Sequence, residues 1–214
     1  MIIKKSIIYD FDGVIADSKQ AIYEAICYIA DDRKVTPPTI EELQNNSSAF
    51  LFSHFSVKWY ELPFVVQKLK RRMAENRKLI IAIPDVLEML KISKETMDNV
   101  HILSSNSTDF IKLFLKENSL DTYIDTIQGD TAFFKKKSKL KALLKQYDLD
   151  PQKSFYVGDE TRDVDAANEM NIKSVAVTWG MHSKDLLVKS KPNFLIESPR
   201  ELIDIVLDYS KKLH

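Results

Sequence analysis

Apolar positions along this chain change their spacing as the sequence proceeds. At the start, Ile7-Ile8-Tyr9 forms a compact, β-branched run that stops abruptly at carboxylates, which predicts a strand over 2–10. From about 18 to 81 apolar residues recur three and four apart, as in Ala21, Ile22, Ala25, Ile26 and Ile29, and again in Val65, Val66, Leu69 and Met73. That spacing predicts helices. Pro37-Pro38 divides them, and Thr39 ahead of Glu41-Glu42 predicts a helix start. No convincing alternation of period two interrupts this stretch. Beyond Pro84, short apolar runs alternate with amphipathic ones. They predict helices over 84–94, 108–116, 138–147, 163–170 and 199–209, and strands over 100–103, 123–127, 154–157, 174–177 and 193–196. Strands alternating with helices predict an α/β fold, a parallel sheet covered on both faces.

Composition narrows the class. The 214 residues suffice for one good-sized core or a core plus a smaller domain. Lys+Arg and Asp+Glu both number 31, so no global basic field exists to grip nucleic acid. The single cysteine, Cys27, excludes an internal disulfide framework and a cysteine-based zinc finger, and points to a reducing cytoplasm. No apolar run reaches the roughly 18–20 residues that span a bilayer, and the first residues carry no apolar leader, so no membrane partner is expected. Glycine is scarce, with four in the chain. Gly13, Gly129 and Gly158 stand beside acidic or polar clusters, where the backbone has reason to need them.

The candidate chemistry sits at predicted strand ends. Asp10 and Asp12 close the first strand, two apart and hence facing the same way in an extended chain. Paired carboxylates repel unless a proton or cation intervenes, and a hard oxygen-loving cation such as Mg²⁺ is the economical solution. An ordinary polar turn with a helix-capping Asp is the competing reading. Val100-His101-Ile102-Leu103 ends in Ser104-Ser105-Asn106-Ser107, hydroxyls and backbone donors suited to an oxyanion, with Ser107 placed to cap the next helix. Ser154-Phe155-Tyr156-Val157 ends in Gly158-Asp159-Glu160, with Asp163 one helical turn beyond Asp159. Glu160, Asp163 and Asp165 also fit as acids favoured at a helix start. Among Lys135-Lys136-Lys137, one lysine could neutralise carboxylates and a bound phosphate, the rest being solvated charge.

The order Asp10-Phe11-Asp12-Gly13-Val14, then Ser104, then Lys137, then Gly158-Asp159 with Asp163, resembles the four motifs of the haloacid dehalogenase (HAD) superfamily. The resemblance covers nearly the whole chain, and the helical stretch after the first motif is similar to the type I cap of the phosphoglycolate phosphatase-like branch. It implies a Rossmann-like core over 1–16 and 83–214 and a helical cap over 17–82. It also implies a Mg²⁺-dependent phosphatase acting on a small phosphorylated metabolite through an aspartyl-phosphate. Asp10 would be the nucleophile and Asp12 the general acid and base. Mg²⁺ would be held by Asp10, Asp12 (through its backbone carbonyl), Asp159 and Asp163. Ser104, Ser105 and Asn106 would bind the phosphoryl group with Lys137, whose neighbours Lys136 and Lys139 are alternatives, as Ser105 is to Ser104. The second Asp separates this chain from true dehalogenases, which lack that acid/base group and the metal. A sugar phosphomutase or a non-catalytic binding protein on the same fold are the other readings, and a monomer or homodimer is expected.

The cap would swing over the sheet edge on hinges near 15–18 and 82–84. Asn45-Asn46-Ser47-Ser48 would face the leaving group or be a plain loop. Phe50, Phe52, Phe55, Trp59 and Tyr60 would line a pocket or form the cap core, and Lys70-Arg71-Arg72 and Arg77-Lys78 would meet an anion or solvent. Lys19, Lys58 and Lys68 read as surface lysines, Cys27 as packed in a cap helix, and His101 as structural. His182 stands near a strand end within reach of the site.

Overall fold

The computed structural model describes residues 4–131 and 135–211. The first two residues of the predicted opening strand fall outside them. β1 (Lys4–Tyr9), β4 (Asn99–Leu103), β5 (Thr126–Gln128), β6 (Leu149–Gly158), β7 (Lys173–Val177) and β8 (Phe194–Ile196) form one sheet of order β5-β4-β1-β6-β7-β8. Every neighbouring pair in it is parallel. The chain builds leftward from β1 through β4 and β5, then crosses to β6. β1 therefore lies at the point where strand order reverses, and the crevice beyond its carboxyl end is where such sheets bind ligands.

Alternation along β1 explains the two faces. Ile7 and Tyr9 join the core under α5 (Val86–Thr96), α6 (Thr108–Glu117) and α10 (Pro199–Lys211), through Met89, Leu90, Ile111, Phe114, Leu202 and Val206. Ile8 points the other way, joining Tyr156, Leu140, Leu143 and Ala167 beneath α7 (Lys136–Tyr147) and α8 (Thr161–Glu169). Strands buried on both faces need continuous apolar runs, which is what the sequence supplies.

Between β1 and β4 lie β2 (Ala16–Asp17), α1 (Lys19–Arg33), α2 (Ile40–Asn45), α3 (Ser48–His54), α4 (Leu62–Glu75) and β3 (Ile81–Ala82). α2 begins at the predicted Thr39, whose hydroxyl accepts from Glu42 N (3.1 Å) while the Glu42 carboxylate accepts from Thr39 N (2.7 Å). These helices pack on their own small core of Ile26, Ile29, Ala30, Phe55 and Val65. β2 pairs antiparallel with β3, so a two-stranded ribbon carries the chain into and out of the insertion. Two-residue strands leave no period to read, and the sequence does not predict them.

Other departures are local. β6 begins at Leu149, earlier than predicted, and β5 begins at Thr126, later than the predicted 123, because a 3-10 turn over Asp121–Tyr123 precedes it. The short helix α9 (Lys184–Lys189), capped by Ser183, is also unpredicted. Cys27 is half-buried on α1. His101 is fully buried in β4, its Nδ1 2.6 Å from Thr126 Oγ1, as a structural histidine should be. Burial lowers its pKa to about 4. The unfolded state then binds the extra proton first, so stability present above pH 6.5 is lost as pH falls towards 4. We expect the His101 contribution, read as the urea unfolding free energy of the parent minus that of His101→Gln, to fall by about 3 kcal/mol across that window. The His101→Gln variant should lose most of that dependence.

Candidate active site

Asp10 follows β1 directly, its backbone N donating to Val157 O (2.8 Å). The chain then turns sharply, with Phe11 O accepting from Ile15 N and Ala16 N, both at 3.0 Å. Gly13 sits in this turn at φ +73°, and a Cβ there would lie 2.0 Å from Asp159 Oδ2. Only glycine meets both demands. Gly180, which the sequence reading passes over, is equally tight: its Cβ would lie 2.2 Å from Asp159 Cβ. In a chain this poor in glycine, the residue marks the walls around one carboxylate. We expect Gly180→Ala to displace Asp159, costing about 1–3 kcal/mol and weakening divalent-cation binding, as read from the Mg²⁺ dependence of the melting temperature.

Asp10, Asp159 and Asp163 are all buried, and each offers an oxygen within 4.8 Å of the others. Asp12 does not join them. Its half-buried carboxylate lies on Asn106 Nδ2 at 3.2 and 3.3 Å, so any metal contact from this residue would have to come from its main chain. The predicted same-facing pair is lost because the strand ends at Tyr9 and the backbone turns.

The lysine that reaches these carboxylates is Lys136, the alternative to Lys137 in the sequence reading. Its Nζ lies 2.5 Å from both Asp10 Oδ2 and Asp163 Oδ1, in a buried position over the Tyr156 ring. Lys137 is 56% exposed and pairs with Glu169. Helix α7 begins two residues before its predicted start, which places Lys136 in its first turn. A helical wheel carries the signal that could have found it. At roughly 100° per residue, Leu140, Leu143, Leu144 and Tyr147 centre about 30° from Lys136 and about 70° from Lys137.

Ser104 is fully buried at the end of β4, its Oγ accepting from Asn106 N (3.1 Å), which leaves its hydroxyl proton to donate. Ser105 faces the cavity described below. Asn106 Oδ1 accepts from Ser107 N (2.8 Å), and Ser107 caps α6 through Phe110 N (3.1 Å), as expected.

Charge is unbalanced here. Among the described residues, Asp10, Asp12, Asp159, Glu160 and Asp163 face the cations Lys136 and Arg162, a surplus of three negative charges when all are ionised. Burial pushes Asp10 up to about 6, opposed by Lys136 and reinforced by Asp163. Asp12 rises by burial, eased by Ser18 and Asn106. Asp159 is raised well above the carboxylate range by burial and then by Glu160, Asp10 and Asp163. For Lys136, burial disfavours the charge, but Asp10 and Asp163 outweigh it and keep it protonated. Buried like charges of this kind need a counter-cation, and an all-oxygen set suits a hard divalent ion.

A further network binds the inserted helices to the core. Burial disfavours ionised Glu160, yet Arg162, His182 and the Ser48 hydroxyl hold it down to about 2. Ser48 on α3 donates to Glu160 Oε2 (2.6 Å), and Arg162 donates to Oε1 (2.8 Å). His182, which the sequence places within reach, accepts from Thr161 N through Nδ1 (3.0 Å). Ser183 donates to Asn45 Oδ1 (2.7 Å), so the polar stretch 45–48 faces the core and is not a plain loop.

Under these contacts lies a cavity of about 160 Å³. Asp12, Ser105, Glu160 and Arg162 line it together with Ser47 and Ser48, and α1, α3 and α4 supply an apolar lining that includes Phe50 and Phe52. Phe55 packs in the small core instead, while Trp59 and Tyr60 are exposed. Lys70 borders the cavity; Arg71 and Arg72 pair with Glu75. Lys19 donates to Trp179 O, Lys58 lies over Tyr60 and Lys68 pairs with Asp32, so none reaches the carboxylates.

Among the described residues no helix is long and apolar enough to cross a membrane. The chain is 29% identical over 205 residues to a phosphoglycolate phosphatase of Synechococcus elongatus, covering 94% of this chain and 97% of that protein. It is 21% identical over 209 residues to the pyrophosphatase PpaX of Bacillus pumilus, covering 94% and 95%. Among solved structures it resembles a predicted phosphatase from Clostridium acetobutylicum with a TM-score of 0.84 at 19% identity, covering 96% and 99% of the two chains, a likeness of fold. The haloacid dehalogenase-like hydrolase family model matches residues 7–177, a span that contains Asp10, Asp12, Ser104, Lys136, Asp159 and Asp163, and the chain belongs to that family of hydrolases.

Proposed function

We propose that this hydrolase is a Mg²⁺-dependent phosphatase of small phosphate monoesters, working through an aspartyl-phosphate on Asp10. The observation that carries this reading is the buried triad of Asp10, Asp159 and Asp163 with Lys136 bridging two of its members. Relatives named as phosphoglycolate phosphatase and pyrophosphatase support the same reaction class. Asp10, Asp159 and Asp163, with the main chain at Asp12, would hold the Mg²⁺. When bound, the ion would supply positive charge to the phosphoryl oxygens and to the carboxylates around them.

Asp10 is oriented before any substrate arrives. Phe11 N donates to its Oδ1 (2.7 Å), and Lys136 holds Oδ2. An oxygen of Asp10 attacks phosphorus, and the bond from phosphorus to the ester oxygen breaks. Asp12, whose burial favours its protonated form, gives its proton to that leaving oxygen. It then takes a proton from water, which attacks the aspartyl-phosphate and releases inorganic phosphate, restoring Asp10. Asn106 fixes the Asp12 carboxylate for both transfers. The Ser104 hydroxyl and the Ser105 segment would steady the phosphoryl oxygens, an effect of position and electrostatics.

The test is release of phosphate from p-nitrophenyl phosphate and metabolite esters, with Mg²⁺ and with EDTA. Release that stops in EDTA and returns with Mg²⁺ is expected. Release indifferent to EDTA would overturn the metal-dependent reading. Thermal melts should show the metal-free protein less stable, by about 2.7 kcal/mol relative to Mg²⁺ at one hundred times its dissociation constant.

A further inference from the structure

One cavity is lined by Asp12, which would protonate the leaving oxygen, and by Ser105, and most of its exposed lining is apolar. A phosphoryl group seated on Asp10 with its ester oxygen towards Asp12 therefore presents the rest of the molecule to that cavity. Its apolar lining includes Ala25 and Ile26 of α1, Phe50 of α3, and Leu69 and Met73 of α4, beside polar side chains of the 46–48 segment. From this juxtaposition we infer that the substrates are monoesters whose leaving group is compact and apolar, a short alkyl or aryl alcohol; the inference rests on the phosphatase reading.

Size and polarity both argue for this. The volume of about 160 Å³ matches that of an apolar protein cavity, about 150 Å³, that takes up benzene, so a group of roughly six carbons fits. A hydroxyl-rich sugar would lose its water to a lining whose exposed surface is mostly apolar, a penalty that also disfavours a sugar phosphomutase. A carboxylate-bearing leaving group such as glycolate would carry its charge into that mostly apolar lining, and the guanidinium bordering it, Arg162, already donates to Glu160. Lys70 borders the cavity as a single amine, so replacing it tests the carboxylate alternative directly.

The experiment is a series from methyl to hexyl phosphate with phenyl phosphate, run beside phosphoglycolate, glycerol phosphate, glucose 1-phosphate and pyrophosphate. We expect kcat/KM to climb about fourfold per methylene until the cavity fills near six carbons. Ala25→Leu, which occupies the space, should cut the preference for phenyl over methyl phosphate about tenfold. Met73→Gln, a polar substitution of similar shape, should cut it several-fold. A flat series would overturn the inference while leaving the phosphatase reading intact. So would phosphoglycolate or pyrophosphate outperforming phenyl phosphate, above all if Lys70→Met abolishes the phosphoglycolate rate. Calorimetry with Mg²⁺ separates binding from chemistry: phenylphosphonate should bind at least tenfold more tightly than phosphonoacetate, and equal or reversed affinities would overturn the pocket assignment. If no ester releases phosphate, it is the phosphatase reading that fails.

Discussion

Replacing Asp10 with Asn should lower turnover by about 10⁴-fold or more, the scale expected for the proposed covalent nucleophile, and leave the protein folded. The amide keeps the shape of the carboxylate and can still accept from Phe11 N, the shorter of the backbone contacts at this position. It removes one of the surplus negative charges, so the metal-free protein gains relief from repulsion at the same moment that Lys136 loses a partner and falls back on Asp163. Divalent-cation binding should weaken, because one oxygen of the triad is gone. The melting shift on adding Mg²⁺ therefore shrinks, by about 1.4 kcal/mol for each tenfold loss of affinity. Asp12→Asn provides the contrast. Its carboxylate lies on Asn106, outside the triad, so the variant keeps the Mg²⁺ shift while turnover falls about 10²–10⁴-fold. Comparable loss of the melting shift in both variants would overturn this division of labour.

Much of this arrangement can be read from the chain alone, and the limits are physical. Ile7, Ile8 and Tyr9 reveal a central strand because both faces must be apolar, and the abrupt change to Asp10 marks where the sheet meets solvent and ligand. The acids at Asp159 and Asp163 are legible because they stand four apart where a strand gives way to a helix, Asp159 before α8 and Asp163 in its first turn. Periodicity fails where elements are too short to have a period, as in the ribbon of Ala16–Asp17 with Ile81–Ala82. It also misses the short α9. Long-range partners are beyond it altogether. Nothing local to Ser48 announces that it meets Glu160, 112 residues away, and nothing local to Gly180 announces the Asp159 carboxylate pressed against it. Those contacts come from how the strands are ordered and how the inserted helices lie on the sheet edge.

The lysine run offers the sharpest separation of a buried charge from a surface one. Lys136→Met should destabilise the protein by about 3–5 kcal/mol, because a buried ion pair broken on one side leaves its carboxylates uncompensated. Lys137→Met should change stability by less than about 0.5 kcal/mol, as expected of an exposed pair with Glu169. The pH dependence distinguishes lost charge from lost packing. Without Lys136 the native carboxyl groups hold their protons more tightly than in the unfolded chain, starting from an Asp10 already raised to about 6. The folded state then binds more protons, so the variant is favoured at low pH and loses stability as pH rises from about 4 through 6 and beyond. The gap between variant and parent in urea melts accordingly widens from pH 4 to pH 7.5. A gap that stays constant would mean that the methylene stem of the lysine, and not its ammonium, holds this part of the core. Turnover follows the same logic: Lys136→Met should lose about 10²–10³-fold, the cost of one electrostatic contact to the reacting groups, and Lys137→Met should retain the parent rate.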